Sequence, residues 1–366
     1  MKSLARVSAA LLLGWLLQVP AHADDGNQTL YNVRNLVSDG ALPAAQTDPN
    51  LVNAWGIAFN PWGPVWVADN ETAVATLYDG AGNIVNLVVA IAGGENPTGI
   101  VFNGSTLIRP KDFVVGNAAA TGPAIFLFAT EGGTIAGWAP NVDFTHTFNG
   151  VDNSAKGAIY KGLALSAGGS GSLLYATDFH NGRIDVFDAS FAPVKLDGKF
   201  VDPGIPAGYA PFGIQAIGGD LYVTYAKQDA DRKDDVHGRG LGFVDVFDPN
   251  GHLVQRVATR GALNAPWGLA VAPAGFGQFA GRLLVGNFGD GRINAYDLAS
   301  GQFVGTMMGA NDRPVHIDGL WGLAFGNGFL NQHVNTLYFT AGPNDEANGL
   351  YGRILPTRRN GQVIDE

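Results

Sequence analysis

One plan recurs six times along the chain, and it excludes most architectures open to a sequence of 366 residues. Its clearest copies are LYATDFHNGRIDVFD, Leu174 to Asp188, and LLVGNFGDGRINAYD, Leu283 to Asp297. Each is an apolar strand ending in Asp or Asn, a glycine-bearing turn, and an alternating strand ending in Asp. A strand before it carries Gly and then Ile or Leu: Trp55-Gly56-Ile57, Thr98-Gly99-Ile100, Lys161-Gly162-Leu163, Phe212-Gly213-Ile214, Trp267-Gly268-Leu269 and Trp321-Gly322-Leu323. These glycines lie 43, 63, 51, 55 and 54 residues apart, near the period of about 40 to 50 residues typical of propeller blades. A turn such as DPNGH then leads to a fourth strand such as LVQRVA, Leu253 to Ala258.

Four strands in each of six units predict an all-β, six-bladed β-propeller, in which blades too small to bury their own faces pack on their neighbours. Innermost strands crowd around the central channel, which accounts for their glycines. The last unit shows three strands, ending at GLYGRILP, Gly349 to Pro356. The N-terminal run Leu30 to Asp39 is the expected fourth, closing the ring and leaving no open edge. A pair of β-sandwiches does not explain the sixfold recurrence, and a β-helix has shorter rungs. Residues 24–356 are thus read as one domain, with a short polar tail at 357–366.

The first 23 residues read differently. Lys2 and Arg6, an apolar run from Ala9 to Val19 and then Ala21-His22-Ala23 have the layout of a secretory signal peptide, so the mature chain is expected to begin at Asp24 and to be exported, periplasmic or extracellular. Loss of Lys2 and Arg6 takes the formal net charge from −10 to −12. That balance argues against nucleic acid, whose binders need a basic face, and against an anionic membrane surface. With no cysteine, stability must come from burial, which a domain of this size can supply. The expected state is a monomer with no membrane span after cleavage.

Candidate site residues follow from the topology. The start of each innermost strand and the turn between second and third strands share one face, around the channel mouth. The turns supply Asp69, Asn70, Glu131, Asp178, His180, Asn287, Asp290, Asn344 and Asp345. The strand starts supply Asn53, Asn96, Lys161, Asn264 and Asp318, beside Trp55, Phe212, Trp267 and Trp321. Such oxygens suit Ca²⁺, although Asp and Asn after a strand also serve as turn formers. The expected ligand-binding face is Trp55, Asn70, Lys161, Asp178, Phe212, Trp267, Asn287 and Trp321. A long insertion in the fourth unit, KQDADRKDDVHGRG from Lys227 to Gly240, gathers Asp229, Asp231, Asp234 and Asp235. These could wrap a hard cation, but they lack the twelve-residue Ca-loop pattern, and Arg232, Lys233 and Arg239 offset their charge. His180 and His237 fall on the same face and could act as general base. No G-x-S-x-G elbow, H-E-x-x-H or P-loop occurs.

The runs WGIAFNPWGPVWVADN, GLALSAGGSGSLLYATDFHNGRIDVFD and WGLAVAPAGFGQFAGRLLVGNFGDGRINAYD resemble NHL-type repeats. More narrowly, the mature chain looks like a family of exported bacterial propellers of uncharacterised function, some of which carry a C-terminal Pro-Glu-Pro sorting tail; this chain ends RRNGQVIDE instead. It is also similar to the gluconolactonase and senescence-marker propellers. That resemblance implies a channel Ca²⁺, with Asn53, Asn96, Asn264 and Asp318 as the positional counterparts of its ligands. VNAWG stands where that family has its Glu-Gly-Pro signature. Fold alone does not fix function. The expectation is a ligand- or partner-binding scaffold rather than an enzyme. The alternative is a Ca²⁺-dependent lactonase or esterase in which the cation polarises the substrate carbonyl.

Overall fold

The computed structural model describes residues 29–168, 171–359 and 361–364. The leader expected at 1–23 lies outside them, as do Asn360, Asp365 and Glu366 of the tail. Nearly all the regular structure among the described residues is strand, and the main strands make six blades arranged as a six-bladed propeller. From the channel outward, blade 1 is Ala54–Phe59, Val65–Asp69, Val74–Tyr78 and Ile84–Ala90. Blade 2 is Pro97–Phe102, Phe126–Thr130, Thr134–Trp138 and Phe148–Asp152. Blade 3 is Tyr160–Gly168, Gly171–Asp178 and Arg183–Asp188. Blade 4 is Tyr209–Ile217, Asp220–Lys227, Phe243–Phe247 and Leu253–Thr259. Blade 5 is Pro266–Val271, Leu283–Asn287, Ile293–Tyr296 and Phe303–Thr306.

Blade 6 joins the two ends of the chain. Its first three strands are Leu320–Phe325, Leu337–Ala341 and Leu350–Thr357, and the fourth is the N-terminal Leu30–Ser38, paired antiparallel with Leu350–Thr357. A two-residue strand, Gln46–Thr47, adds in parallel outside it.

The hydropathy of each strand follows its rank in the blade. Second strands are covered on both faces, so Val65–Asp69 and Leu283–Asn287 are buried at every residue. The outermost Ile84–Ala90 alternates between exposed and partly covered positions over its first five residues and then buries Val89. Between blades the core is largely aromatic: Trp66 stacks on Phe126 at 4.3 Å between blades 1 and 2, and Tyr31 of the closing strand stacks on Phe279 of blade 5 at 5.6 Å.

The six recurring glycines set the width of the channel. A Cβ placed on Gly162 would come within 2.8 Å of the Phe212 carbonyl oxygen of the next blade, and one on Gly213 would collide with the Trp267 carbonyl oxygen. The other four approach their neighbours in the same way. Threonine hydroxyls reinforce this contact by donating to carbonyls of the next inner strand: Thr98 to Tyr160 at 2.7 Å, Thr177 to Phe212 at 2.7 Å and Thr340 to Trp55 at 2.5 Å.

The aspartates that end the third strands are turn formers. Asp79, Asp188, Asp248 and Asp297 each accept backbone N–H bonds from the turn that follows, as Asx turns do. Two departures from strict repetition have local causes. The 63-residue interval holds a hairpin, Val114–Gly116 with Thr121–Pro123, inserted between the first two strands of blade 2. Beyond Asp188 blade 3 keeps only a single bridge, Phe187 to Pro193, where the other blades have a fourth strand.

Candidate functional site

At the channel mouth the inner strands of blades 1, 2 and 3 begin with Asn53, Asn96 and Lys161, and the turns after the second strands bring in Asn70 and Glu131. Asn53 has φ +48°, a left-handed conformation that asparagine tolerates. Its Nδ2 donates to Asn70 Oδ1 at 3.2 Å and to Glu346 Oε2 at 2.6 Å. Asn96 Nδ2 reaches the same Asn70 oxygen at 3.5 Å, and Asn70 Nδ2 donates to Glu131 Oε2 at 3.2 Å.

Lys161 lies at the centre of this network and is 2% exposed. Its Nζ donates to Glu131 Oε1 at 2.5 Å and to Asp234 Oδ1 at 3.2 Å, and stands 5.0 Å over the Trp55 ring. Burial alone would lower the lysine's pKa, but Glu131 and Asp234 more than offset it and the ammonium is stabilised. Burial likewise opposes ionisation of Glu131, yet Lys161 holds that carboxyl below the usual range. Buried charges persist when paired and hydrogen-bonded in this way.

Glu346 completes the mouth. It follows Asn344 and Asp345 in the blade 6 turn, and all three have left-handed φ values of +60°, +50° and +66°. Consecutive non-glycine residues in this region cost roughly 1–2 kcal/mol each, and such strain persists only where surrounding contacts impose it. Here the turn delivers the carboxyl to Asn53. Burial, together with the charges of Glu131 and Asp234, raises the Glu346 pKa to about 7 despite the opposing pull of Lys161 and Asn53.

An aromatic collar lies beneath. Trp321 stacks on Trp55 at 3.7 Å and on Phe288 at 3.8 Å, and meets Trp267 and Phe212 edge-on at 5.9 and 5.8 Å. Trp321 Nε1 donates to Asn53 Oδ1 at 2.9 Å, and Trp267 Nε1 to the Lys161 carbonyl at 3.0 Å. Trp55 Nε1 is buried without a hydrogen-bond partner, an uncommon state for a buried donor.

Of the expected ligand-binding face, Trp55, Asn70, Lys161, Phe212, Trp267 and Trp321 converge in this way. Asp178 and Asn287 stay with their own turns: Asp178 accepts from Asn181 Nδ2 at 2.7 Å and pairs with Arg183 at 3.2 Å, while Asn287 Nδ2 donates to Asp290 Oδ1 at 2.9 Å. The four residues expected to ligate Ca²⁺ divide. Asn53 and Asn96 meet at Asn70, whereas Asn264 Oδ1 accepts from Gly238 N at 2.6 Å and Asp318 Oδ2 from Asn344 N at 2.8 Å.

The loop carboxylates also diverge. Asp229 accepts from Lys233 N at 2.9 Å within its own loop, Asp231 is exposed, Asp234 turns to Lys161, and Asp235 faces His237 Nε2 at 3.2 Å. Among the described residues, no three His, Cys, Asp or Glu side chains gather into a group that could hold a metal ion. Two of the oxygens that converge at the mouth, Glu131 Oε1 and Asp234 Oδ1, meet an ammonium. Asp235 raises the pKa of His237, whose ring meets Phe288 edge-on at 5.2 Å. His180 is half-buried, with Nδ1 unpartnered.

Glu131 reads from sequence as one turn residue among several, and nothing in the sequence marks Glu346 or Phe288. Each depends on a turn conformation that places residues distant in sequence side by side.

No protein-family profile matches the sequence. An uncharacterised protein of Acanthamoeba polyphaga mimivirus is 36% identical over 340 residues, covering 89% of this chain and 80% of its own. Among solved structures, a streptogramin B lyase superposes with a TM-score of 0.53 at 12% identity, covering 90% of this chain and 98% of its own. A structure classed as a gluconolactonase gives 0.52 at 12% identity, covering 93% and 97%. At such identities the likeness to solved structures concerns the fold alone.

Proposed function

The chain belongs to the same family as that mimivirus protein, and from this premise we propose that it is an exported scaffold binding a ligand or partner at its channel-mouth face. The observation that carries this reading is the Lys161 ammonium, buried at the mouth and paired with Glu131 and Asp234. The two mouth carboxylates, Glu131 and Asp234, are thus engaged by a cation of the chain itself rather than free to join the Ca²⁺ that a lactonase or esterase would use. What remains accessible is a recognition surface: the Glu346 carboxyl, the edge of Trp267 and the exposed His237. The buried Trp55 N–H is a donor that a bound acceptor would satisfy. Export is supported by the leader-like residues 1–23.

The test is a panel of lactones and aryl esters assayed with Ca²⁺ and with chelator, alongside elemental analysis and a small-molecule thermal-shift screen. Binding predicts no turnover above buffer, no stoichiometric Ca²⁺, and thermal-shift hits that disappear in Trp267→Ala. Ca²⁺-dependent turnover that is lost in Glu346→Gln would overturn the reading in favour of the hydrolase.

A further inference from the structure

Between blades 4 and 5, away from the channel, a cleft of about 570 Å³ opens on the rim. Three arginines surround it: Arg239 from the blade 4 insertion, Arg260 just after the outermost strand of blade 4, and Arg292 at the start of the third strand of blade 5. None forms an ion pair with a carboxylate among the described residues, in contrast to Arg183, Arg256, Arg282 and Arg359. In a chain with 32 acidic and 22 basic residues, unpaired guanidiniums concentrated on one cleft run against the overall charge. Their mutual repulsion would be relieved by an anion.

The guanidiniums are partly held in place. Arg239 Nε donates to the Gly261 carbonyl at 3.4 Å, and the Arg260 guanidinium lies 5.6 Å over the Phe243 ring. Both arrangements leave terminal N–H groups available as forked donors, the geometry that suits carboxylate and phosphate oxygens. The lining holds one acid, Asp290, whose Oδ1 accepts from Asn287 Nδ2 at 2.9 Å and from Arg292 N at 3.4 Å.

The floor adds an apolar surface: Tyr296 is buried, Phe303 is 48% exposed, and the two rings meet edge-on at 5.6 Å. A cavity of this volume falls within the range of small-molecule sites, about 300–1,000 Å³. Positive forks above a partly exposed aromatic surface select an anion with a ring or carbon body over a bare inorganic ion.

We propose that this cleft binds a small organic oxyanion, carrying carboxylate or phosphate groups on a sugar-sized body, and that Arg260 and Arg292 are its principal contacts. Such a site is independent of the channel mouth.

The probes are glucose 6-phosphate, digalacturonate and inorganic phosphate, added to the full-length mature chain and followed by thermal shift and calorimetry. The expected result is saturable binding of glucose 6-phosphate or digalacturonate at a Kd of about 1 mM or below, at least tenfold tighter than phosphate and weakened by salt. Whichever of the two binds distinguishes a phosphorylated from a carboxylated ligand. Affinity should fall at least about tenfold in Arg260→Gln and Arg292→Gln, with melting of the unliganded variants unchanged because both side chains are exposed. It should hold in Arg313→Gln, an exposed arginine outside the cleft. No saturation by any probe overturns the proposal, as does binding that survives both cleft substitutions or a response to phosphate alone.

Discussion

Trp321 Nε1 donates to Asn53 Oδ1 at 2.9 Å across 268 positions of sequence, tying blade 6 to blade 1 where the ring meets itself. Through the amide nitrogen of Asn53 the same residue holds Asn70 and Glu346. One side chain thus links ring closure to the order of the channel mouth.

Replacing Asn53 removes three hydrogen bonds and also the residue that tolerates φ +48°. Asn53→Leu should lower stability by about 2–4 kcal/mol and shift tryptophan emission, because the Trp321 N–H loses its acceptor. Chemical denaturation followed by fluorescence reads both effects. A stable variant with wild-type emission would refute the linkage.

Lys161→Met leaves Glu131 and Asp234 without their ammonium. Breaking a buried pair from one side costs about 3–5 kcal/mol, so denaturant midpoints should fall sharply. Adding Glu131→Gln to Lys161→Met should recover part of the loss, since a neutral amide replaces the uncompensated carboxylate. A double mutant that falls by the sum of the single losses would show that the pair is not coupled.

Gly213→Ala places a methyl group against the Trp267 carbonyl oxygen. Backbone cannot move aside as a side-chain tip can, so the cost should lie at the upper end of overpacking, about 3 kcal/mol. Gly104→Ala, at the start of a 3₁₀ turn where the added carbon meets only the Phe102 ring at 3.4 Å, should cost far less. Equal losses in the two variants would mean that the inner glycines do not set the blade spacing.

Stability should decline as pH rises from about 4.5 toward 7. Burial raises the Glu346 pKa to about 7 and the Asp245 pKa to about 7, so the native state holds protons that the unfolded chain has released. Their contribution is present below the ordinary carboxyl value and is lost as pH passes through the raised one. His237, also raised, loses its contribution above 6.5 in the same direction. Glu346→Gln should flatten the curve, leaving the slope due to Asp245, His237 and the other carboxyls that burial raises, Asp69 and Asp178. Unfolding free energies between pH 4.5 and 8 measure this, and an unchanged slope in Glu346→Gln would contradict it.

The fold was legible because propeller geometry imposes chemical requirements at fixed places in every blade. Gly56, Gly99, Gly162, Gly213, Gly268 and Gly322 face backbone, and Asp79, Asp188, Asp248 and Asp297 cap turns. Features confined to one blade left weaker signals. The hairpin at 114–123 and the single bridge beyond Asp188 in blade 3 follow from local sequence that no other blade repeats.

At the site, strand starts and turn positions were enough to gather Asn53, Asn70, Asn96, Lys161 and the aromatic collar on one face. They did not specify which oxygens would meet. Glu346 enters through three successive left-handed residues, and Asp234 through the fold of a unique loop, so neither contact has a periodic signature. The arginine cleft was hidden for a related reason, since Arg239, Arg260 and Arg292 come from three separate turns and loops and form no motif.

The pairing of Leu30–Ser38 with Leu350–Thr357 also constrains the order of assembly. The first described strand has its native partner at the far end of the described chain, so the ring cannot close before Leu350–Thr357 is available. Until then the edge of Leu30–Ser38 that receives Leu350–Thr357 and the open face of blade 1 remain adhesive. Closure therefore carries a large loop entropy, which is paid in one late step, and the finished ring should come apart cooperatively, beginning at this seam.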